Sequence, residues 1–203
     1  MLLANELLQL AESRIWEAIA AGDDLLCYQS VAVIMDWGRV YVPTPRSAGN
    51  QAAVEALYNN RQICSSLRKN ISAMMSGNTA QVVHMNSGWT KVYAAAIPDG
   101  QFIMYDSRVS KALCSLLAQW SSARNLQVAP SDVDLRQVVP NGDVRFVAGI
   151  PVATNGAARV RSNILASSLV RGMCQLSGHI APGSWLNGKD SRYIESRLFM
   201  LGA

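Results

Sequence analysis

The sequence predicts a mostly α-helical protein, a helical bundle joined by irregular loops, organised as one compact unit over residues 1–203 or as two closely packed helical lobes. Three observations predict it. Apolar residues recur at helical intervals in segment after segment, Gly, Pro and Asn cluster between those segments, and the run VYAAAI, rich in the best helix former, sits near the middle of the chain.

The elements follow in order. Leu3, Leu7, Leu10, Ile15 and Ile19 trace an amphipathic helix over 2–20, which Gly22 stops. A second apolar stretch, LLCYQSVAVIMDWG, ends at Gly38 and leads into RVYVPTPRSAGN, a loop marked by its prolines, Gly49 and Asn50. Between Gln51 and Met75 the spacing of Val54, Leu57, Tyr58, Ile63, Leu67, Ile71 and Met74 predicts one or two helices. A helix from Thr79 to before the NSG at 86–88 follows, then one from close to Trp89 that must stop by Pro98, Asp99 and Gly100. After that turn QFIMY reads as extended, and Asp106 as the N-cap of a helix through about Trp120 with Val109, Leu113, Leu116 and Leu117 on its apolar face. The Pro-, Asp- and Gly-rich stretch from Asn125 to Gly156 reads as loop, and two final helices are expected over about 159–173 and 191–201. No internal repeat or low-complexity tract is present.

Composition narrows the class of function. The chain has 203 residues, half of them hydrophobic and 16% charged, an ordinary globular balance that argues against disorder. The formal charge of +4 is compatible with an anionic polymer as partner. Cys27, Cys64, Cys114 and Cys174 are spread evenly, without a C-x-x-C pair or a histidine at ligand spacing, so no zinc or iron–sulfur site is expected. Charged residues interrupt the apolar N-terminus before it reaches signal-peptide or membrane-spanning length, and a soluble, cytoplasmic protein is expected.

The segment TKVYAAAIPDGQFIMYDSRV, 90–109, carries the chemistry. A helix from Lys91 to Ile97 advances about 10 Å at about 1.5 Å per residue. The extended run after the PDG reversal returns roughly 13–16 Å at about 3.3 Å per residue. Asp106 is therefore expected near the mouth of the helix that begins at Lys91. An amine and a carboxylate so placed suit a reaction at a sugar C1′: the carboxylate stabilises positive charge as the base departs, and a neutral amine attacks to form a Schiff base.

These residues resemble the bifunctional helix-hairpin-helix DNA glycosylases, the 8-oxoguanine DNA glycosylases in particular. Thr90, Lys91 and Val92 match the Gly-Thr-Lys-Val-like helix start of that family, and Tyr105, Asp106 and Arg108 match its aspartate-bearing stretch. The order TK, short helix, Pro, Phe, YDSRV, together with the C-terminal GSWLNGKDSRYIESRLFMLG, is similar to the compact bacterial proteins with an 8-oxoguanine glycosylase-like fold. The resemblance implies a fold of the helix-hairpin-helix glycosylase type, double-stranded DNA as partner, no cofactor or metal, Lys91 as the Schiff-base nucleophile and Asp106 as the acid/base and charge-stabilising group. It further implies that Asn86, Ser87, Gly88, Trp89 and Thr90 lay backbone N–H groups against a DNA phosphate. The family's Leu-Pro-Gly-Val-Gly-like hairpin is here MNSGW, with its single glycine displaced.

A base taken out of the stack needs an aromatic or apolar pocket, for which Trp37, Tyr41, Trp89 and Trp185 are candidates. Arg39, Arg46, Arg108, Lys111 and Arg192 are candidate phosphate contacts by charge. Each residue also has an ordinary reading: a solvated lysine at a helix start, an aspartate that only caps, tryptophans that fill a core. The expected function is a DNA glycosylase with abasic-site lyase activity on a modified base such as 8-oxoguanine. Its alternatives are a non-catalytic DNA-binding or interaction module of the same fold, or a defence glycosylase acting on modified foreign DNA.

Overall fold

Capping and apolar spacing form eight α-helices among the residues described by the computed structural model, which are 2–45, 48–97, 101–123, 135, 152–179, 184 and 187–202. No strand occurs among them. The chain divides into two units, Met1–Asp99 and Gly100–Ala203. No helix among the described residues is long and apolar enough to cross a membrane.

The first unit holds α1 (Leu2–Ala21), α2 (Asp24–Trp37), α3 (Gln51–Asn59), α4 (Ile63–Met75) and α5 (Ser87–Ala96). Leu8, Ala11, Ile15, Ala18 and Ile19 recur every three or four residues on α1 and form its buried face, packed along α2. The Asp23 carboxylate accepts from the Leu26 N–H and so caps α2. The run 51–75 is two helices, broken where Arg61 takes a left-handed backbone conformation at φ 54°. Helix α5 packs against α1 and α2, and every residue from Gly88 to Ala96 is buried. A helix buried on all sides belongs inside its unit, and the small side chains Ala94, Ala95 and Ala96 suit one that is enclosed by others.

The helix expected after Thr79 is confined to a single 3-10 turn, Thr79–Gln81. The β-branched Val82 and Val83 favour extended backbone, and side chains supply the hydrogen bonds that a helix would otherwise provide. Asn70 Oδ1 accepts from the Val83 N–H at 3.2 Å, and the Tyr93 hydroxyl donates to the His84 carbonyl at 2.6 Å. Asn70 Nδ2 in turn donates to the Tyr93 hydroxyl oxygen, so one buried amide ties α4, this extended piece and α5 together.

The second unit contains α6 (Ser107–Ala123), α7 (Gly156–Ser177) and α8 (Ser191–Leu201), with α8 packed against both α6 and α7. Helix α7 begins three residues earlier than its apolar spacing predicts because Asn155 Oδ1 accepts from the Ala158 N–H. The core collects Ile103, Tyr105, Val109, Leu113, Leu135, Val170, Ile194 and Leu198. The extended piece before α6 is buried and has no partner strand among the described residues, and two polar side chains one turn apart on α7 take that role. The Ile103 N–H donates to Ser167 Oγ at 3.1 Å, and Asn163 Nδ2 donates to the Ile103 carbonyl at 2.9 Å. Of the expected loop 125–156, nearly all lies outside the described residues.

All four thiols are unbridged, and burial pushes each of them up from its ordinary value, Cys64 to about 11 and Cys114 to about 12. Between pH 9 and about 11 the unfolded chain therefore releases a Cys64 proton that the folded chain keeps, so this contribution is fully present below pH 9 and is lost as pH rises through that window. Denaturant melts at pH 7 to 11 are expected to show stability falling above pH 9, with a smaller fall in Cys64→Ala. A flat profile in the parent protein would contradict the buried thiols.

Candidate functional site

The site centres on the N-terminal turn of α5. Asn86 caps it with one side-chain oxygen, which accepts from the Gly88 N–H at 2.9 Å and the Trp89 N–H at 3.2 Å. The other end of the same amide is also used: Asn86 Nδ2 donates to Asn50 Oδ1 at 2.8 Å, and Asn50 Nδ2 donates to the Val40 carbonyl at 2.8 Å. A relay of two amides thus joins the start of α5 to the loop that follows α2. That loop closes on itself, because the Tyr41 carbonyl accepts from the N–H groups of both Asn50 and Gln51. Glycine is required at 88, where a Cβ would stand 2.5 Å from Asn50 Nδ2.

Lys91 lies one turn into α5 and is only 6% exposed; among the described residues Glu195 is the other buried charged side chain. Lysine seldom takes such a place. Its Nζ donates to the Ser87 carbonyl four residues earlier at 3.1 Å, so the side chain folds back toward the start of its own helix. The stem passes Gly38, the C-cap of α2, where a Cβ would come within 2.6 Å of Lys91 Cδ and 2.9 Å of Cε. The end of α2, the following loop and the start of α5 therefore meet around this amine.

The remaining residues predicted in the hairpin are placed as structure. Trp89 is 2% exposed, stacked on His84 with ring centroids 5.0 Å apart and tilted against Tyr93 at 6.2 Å. Burial holds the His84 imidazole below its ordinary value. Thr90 is buried and its hydroxyl donates to the Ser87 carbonyl. The Gly88 and Trp89 N–H groups, expected to face a phosphate, are engaged by Asn86, while Ser87 and Asn86 are half-buried at the rim. The MNSGW hairpin is closed by its own asparagine.

Two of the aromatic candidates lie in sequence on either side of Gly38, the glycine over which the lysine stem passes. Trp37, the last residue of α2 and directly before Gly38, is 39% exposed. Tyr41 is half-buried with its hydroxyl 3.2 Å from that of Tyr28, whose ring stacks on Tyr58 at 4.6 Å. Burial and the Tyr28 contact raise the Tyr41 phenol above its ordinary value. Trp185 and Arg46 lie outside the described residues.

Asp106, Arg108 and Lys111 belong to the second unit. Asp106 caps α6, its Oδ1 accepting from the N–H groups of Arg108 at 3.0 Å and Val109 at 3.1 Å, and it is half-buried. The exposed Arg108 lays its guanidinium over the Phe199 ring of α8 at 4.5 Å, Lys111 stands one turn further along α6, and Arg192 faces Glu195 on α8 at 3.5 Å. Asn50 and Gly38, which position the lysine, were not singled out from sequence as site residues. The one visible signal was their place at loop boundaries, where Asn and Gly are common for reasons of turn formation alone.

Filling the space at Gly38 is expected to displace the lysine. In Gly38→Ala, Lys91 should react with an amine-acylating reagent several times faster than in the parent, read by mass spectrometry, with stability lowered by about 1–3 kcal/mol. Equal labelling in the two proteins would show that the stem does not depend on this glycine.

No family model, curated protein or solved structure matches the chain, so the site is read from its own residues and geometry.

Proposed function

We propose that the chain is a DNA glycosylase with abasic-site lyase activity, excising a modified base such as 8-oxoguanine from duplex DNA, with Lys91 as its nucleophile. The single observation that carries the reading is a lysine amine held inside the protein, its stem over a glycine and its Nζ on a backbone carbonyl, at the position where the sequence resembles the Schiff-base lysine of those enzymes. Burial and the Ser87 carbonyl fix the direction of the amine before substrate arrives, as a positioned nucleophile requires.

In this reading the damaged nucleotide leaves the stack and its C1′ meets Nζ. The bond from C1′ to the base breaks as the new C–N bond forms, and the base leaves with the electron pair and a proton. The aminal opens to an imine, and loss of a C2′ proton expels the 3′ phosphate. The resemblance assigns to Asp106 the stabilisation of the positive charge that builds on the sugar, and its capping hydrogen bonds hold that carboxylate fixed on α6. Trp37 and Tyr41, beside the end of α2, are the candidates for stacking on the base.

A second reading, a DNA-binding or interaction module without turnover, is favoured by the self-capped start of α5, which spends on Asn86 the donors that would otherwise grip a phosphate.

Borohydride trapping on duplexes carrying 8-oxoguanine or an abasic site separates the two. The parent protein is expected to form a covalent complex that Lys91→Met does not form, while Lys91→Met melts at the same temperature or higher, since a buried polar amine has been replaced by an apolar side chain of similar length at a change of about 0–2 kcal/mol. A parent protein that neither traps nor releases a base from a panel of modified duplexes would leave the binding module as the better account.

A further inference from the structure

The turn that ends α2 holds a residue in a backbone conformation that its side chain disfavours. Arg39 has φ 54°. It follows the C-cap Gly38, its N–H donates to the Asp36 carbonyl at 2.8 Å, and the Val40 N–H donates to the Met35 carbonyl at 2.9 Å. These two bonds are the Schellman closure of a helix, whose left-handed position is ordinarily glycine because a Cβ there crowds the backbone. Glycine would close the same turn without that cost. What the position gains from arginine is the side chain, and strained conformations of this kind gather at functional sites.

Arg61 supplies an internal comparison. It too has φ 54°, after α3, in a closure with the Gln62 N–H on the Leu57 carbonyl at 2.8 Å. Both arginines are exposed. Their surroundings differ. Arg61 precedes Cys64, whose N–H donates to Asp24 Oδ1, so it stands by the start of α2. Arg39 stands at the opposite end of that helix, next to the glycine over which the Lys91 stem lies, between the exposed Trp37 and the half-buried Tyr41.

We propose that Arg39 is a backbone-phosphate ligand of the Lys91 site, gripping the DNA strand beside the nucleotide whose sugar faces the amine. A C1′ in a DNA strand has a phosphate on either side, so a site for it needs a cation close to the amine. Since the N–H groups of Gly88 and Trp89 are taken by Asn86, that cation is a side chain, and a guanidinium presents paired donors to phosphate oxygens. The left-handed turn reverses the chain immediately after α2 and carries the arginine at the exposed corner. The inference rests on the glycosylase reading for the identity of the polymer.

The test compares the full-length parent with Arg39→Gly and Arg61→Gly, using fluorescence anisotropy on a duplex that contains a tetrahydrofuran abasic analogue over a series of salt concentrations, with thermal melts and borohydride trapping on a natural abasic site alongside. Both glycine variants are expected to melt higher, by about 2–6 °C, as the strain is relieved. Only Arg39→Gly should lose affinity, about tenfold, with the slope of log K against log salt reduced by about 1. An unchanged affinity and slope in Arg39→Gly, an equal loss in Arg61→Gly, a lower melting temperature for Arg39→Gly, or no affinity of the parent for the duplex would each overturn the assignment. If the parent binds and Arg39→Gly loses the slope while no trapping occurs in any protein, the phosphate contact stands and the glycosylase reading fails. Trapping in the parent with Arg39→Gly indistinguishable from it gives the converse.

Discussion

The first unit depends on one chain of amide hydrogen bonds, from Asn86 through Asn50 to the Val40 carbonyl. Helix α5 is enclosed, so its first N–H groups have little access to water and need partners within the protein. The Asn86 side-chain oxygen satisfies two of them, and its Nδ2 donates to Asn50, which closes the loop after α2. Asn50 is buried and Asn86 half-buried, and a neighbour pushed out of place leaves a buried polar group without its partner at a cost of about 1–3 kcal/mol. The relay thereby sets the axial position of α5 relative to the end of α2. The direction of the Lys91 side chain follows from that position.

Two consequences bear on chemistry. The helix start that the MNSGW hairpin leads into is internally capped, so any grip on a phosphate falls to side chains on the surrounding rim, where Arg39 is already held in an unfavourable conformation. Lys91 is placed by packing as much as by hydrogen bonding: a glycine at the end of α2 leaves the room its stem occupies, and a carbonyl of its own helix receives the amine. Methionine at 91 and glycine at 39 are each the quieter choice for the fold.

Much of the helical architecture is legible in the spacing of apolar residues. The buried face of α1, the division near Asn60 and the helix from Ser107 with its Asp106 cap all follow from local pattern and local hydrogen bonding. Local pattern misleads where a distant side chain substitutes for local structure. The segment after Thr79 is not a helix because Asn70, on α4, and Tyr93, on α5, satisfy its backbone. Trp89 was open to a role on DNA, and its burial against His84 and Tyr93 makes it part of the core. Those partners come from sequence-distant positions whose encounter no local rule predicts.

Local pattern suffices for the mostly helical character of the chain, for where most helices start and stop, and for a lysine one turn into a short alanine-rich helix ahead of a capping aspartate. These are consequences of intervals of three and four residues and of caps within three residues, which act before any long-range contact exists. Packing between distant segments is what buries the lysine, sets Gly38 where it makes room for it, lets Asn50 and Asn86 lock the turn that bears it, and turns the tryptophan beside it inward. Whether a polar side chain meets water or a carbonyl depends on which helix packs over it, and that is settled when separate segments collapse onto one another.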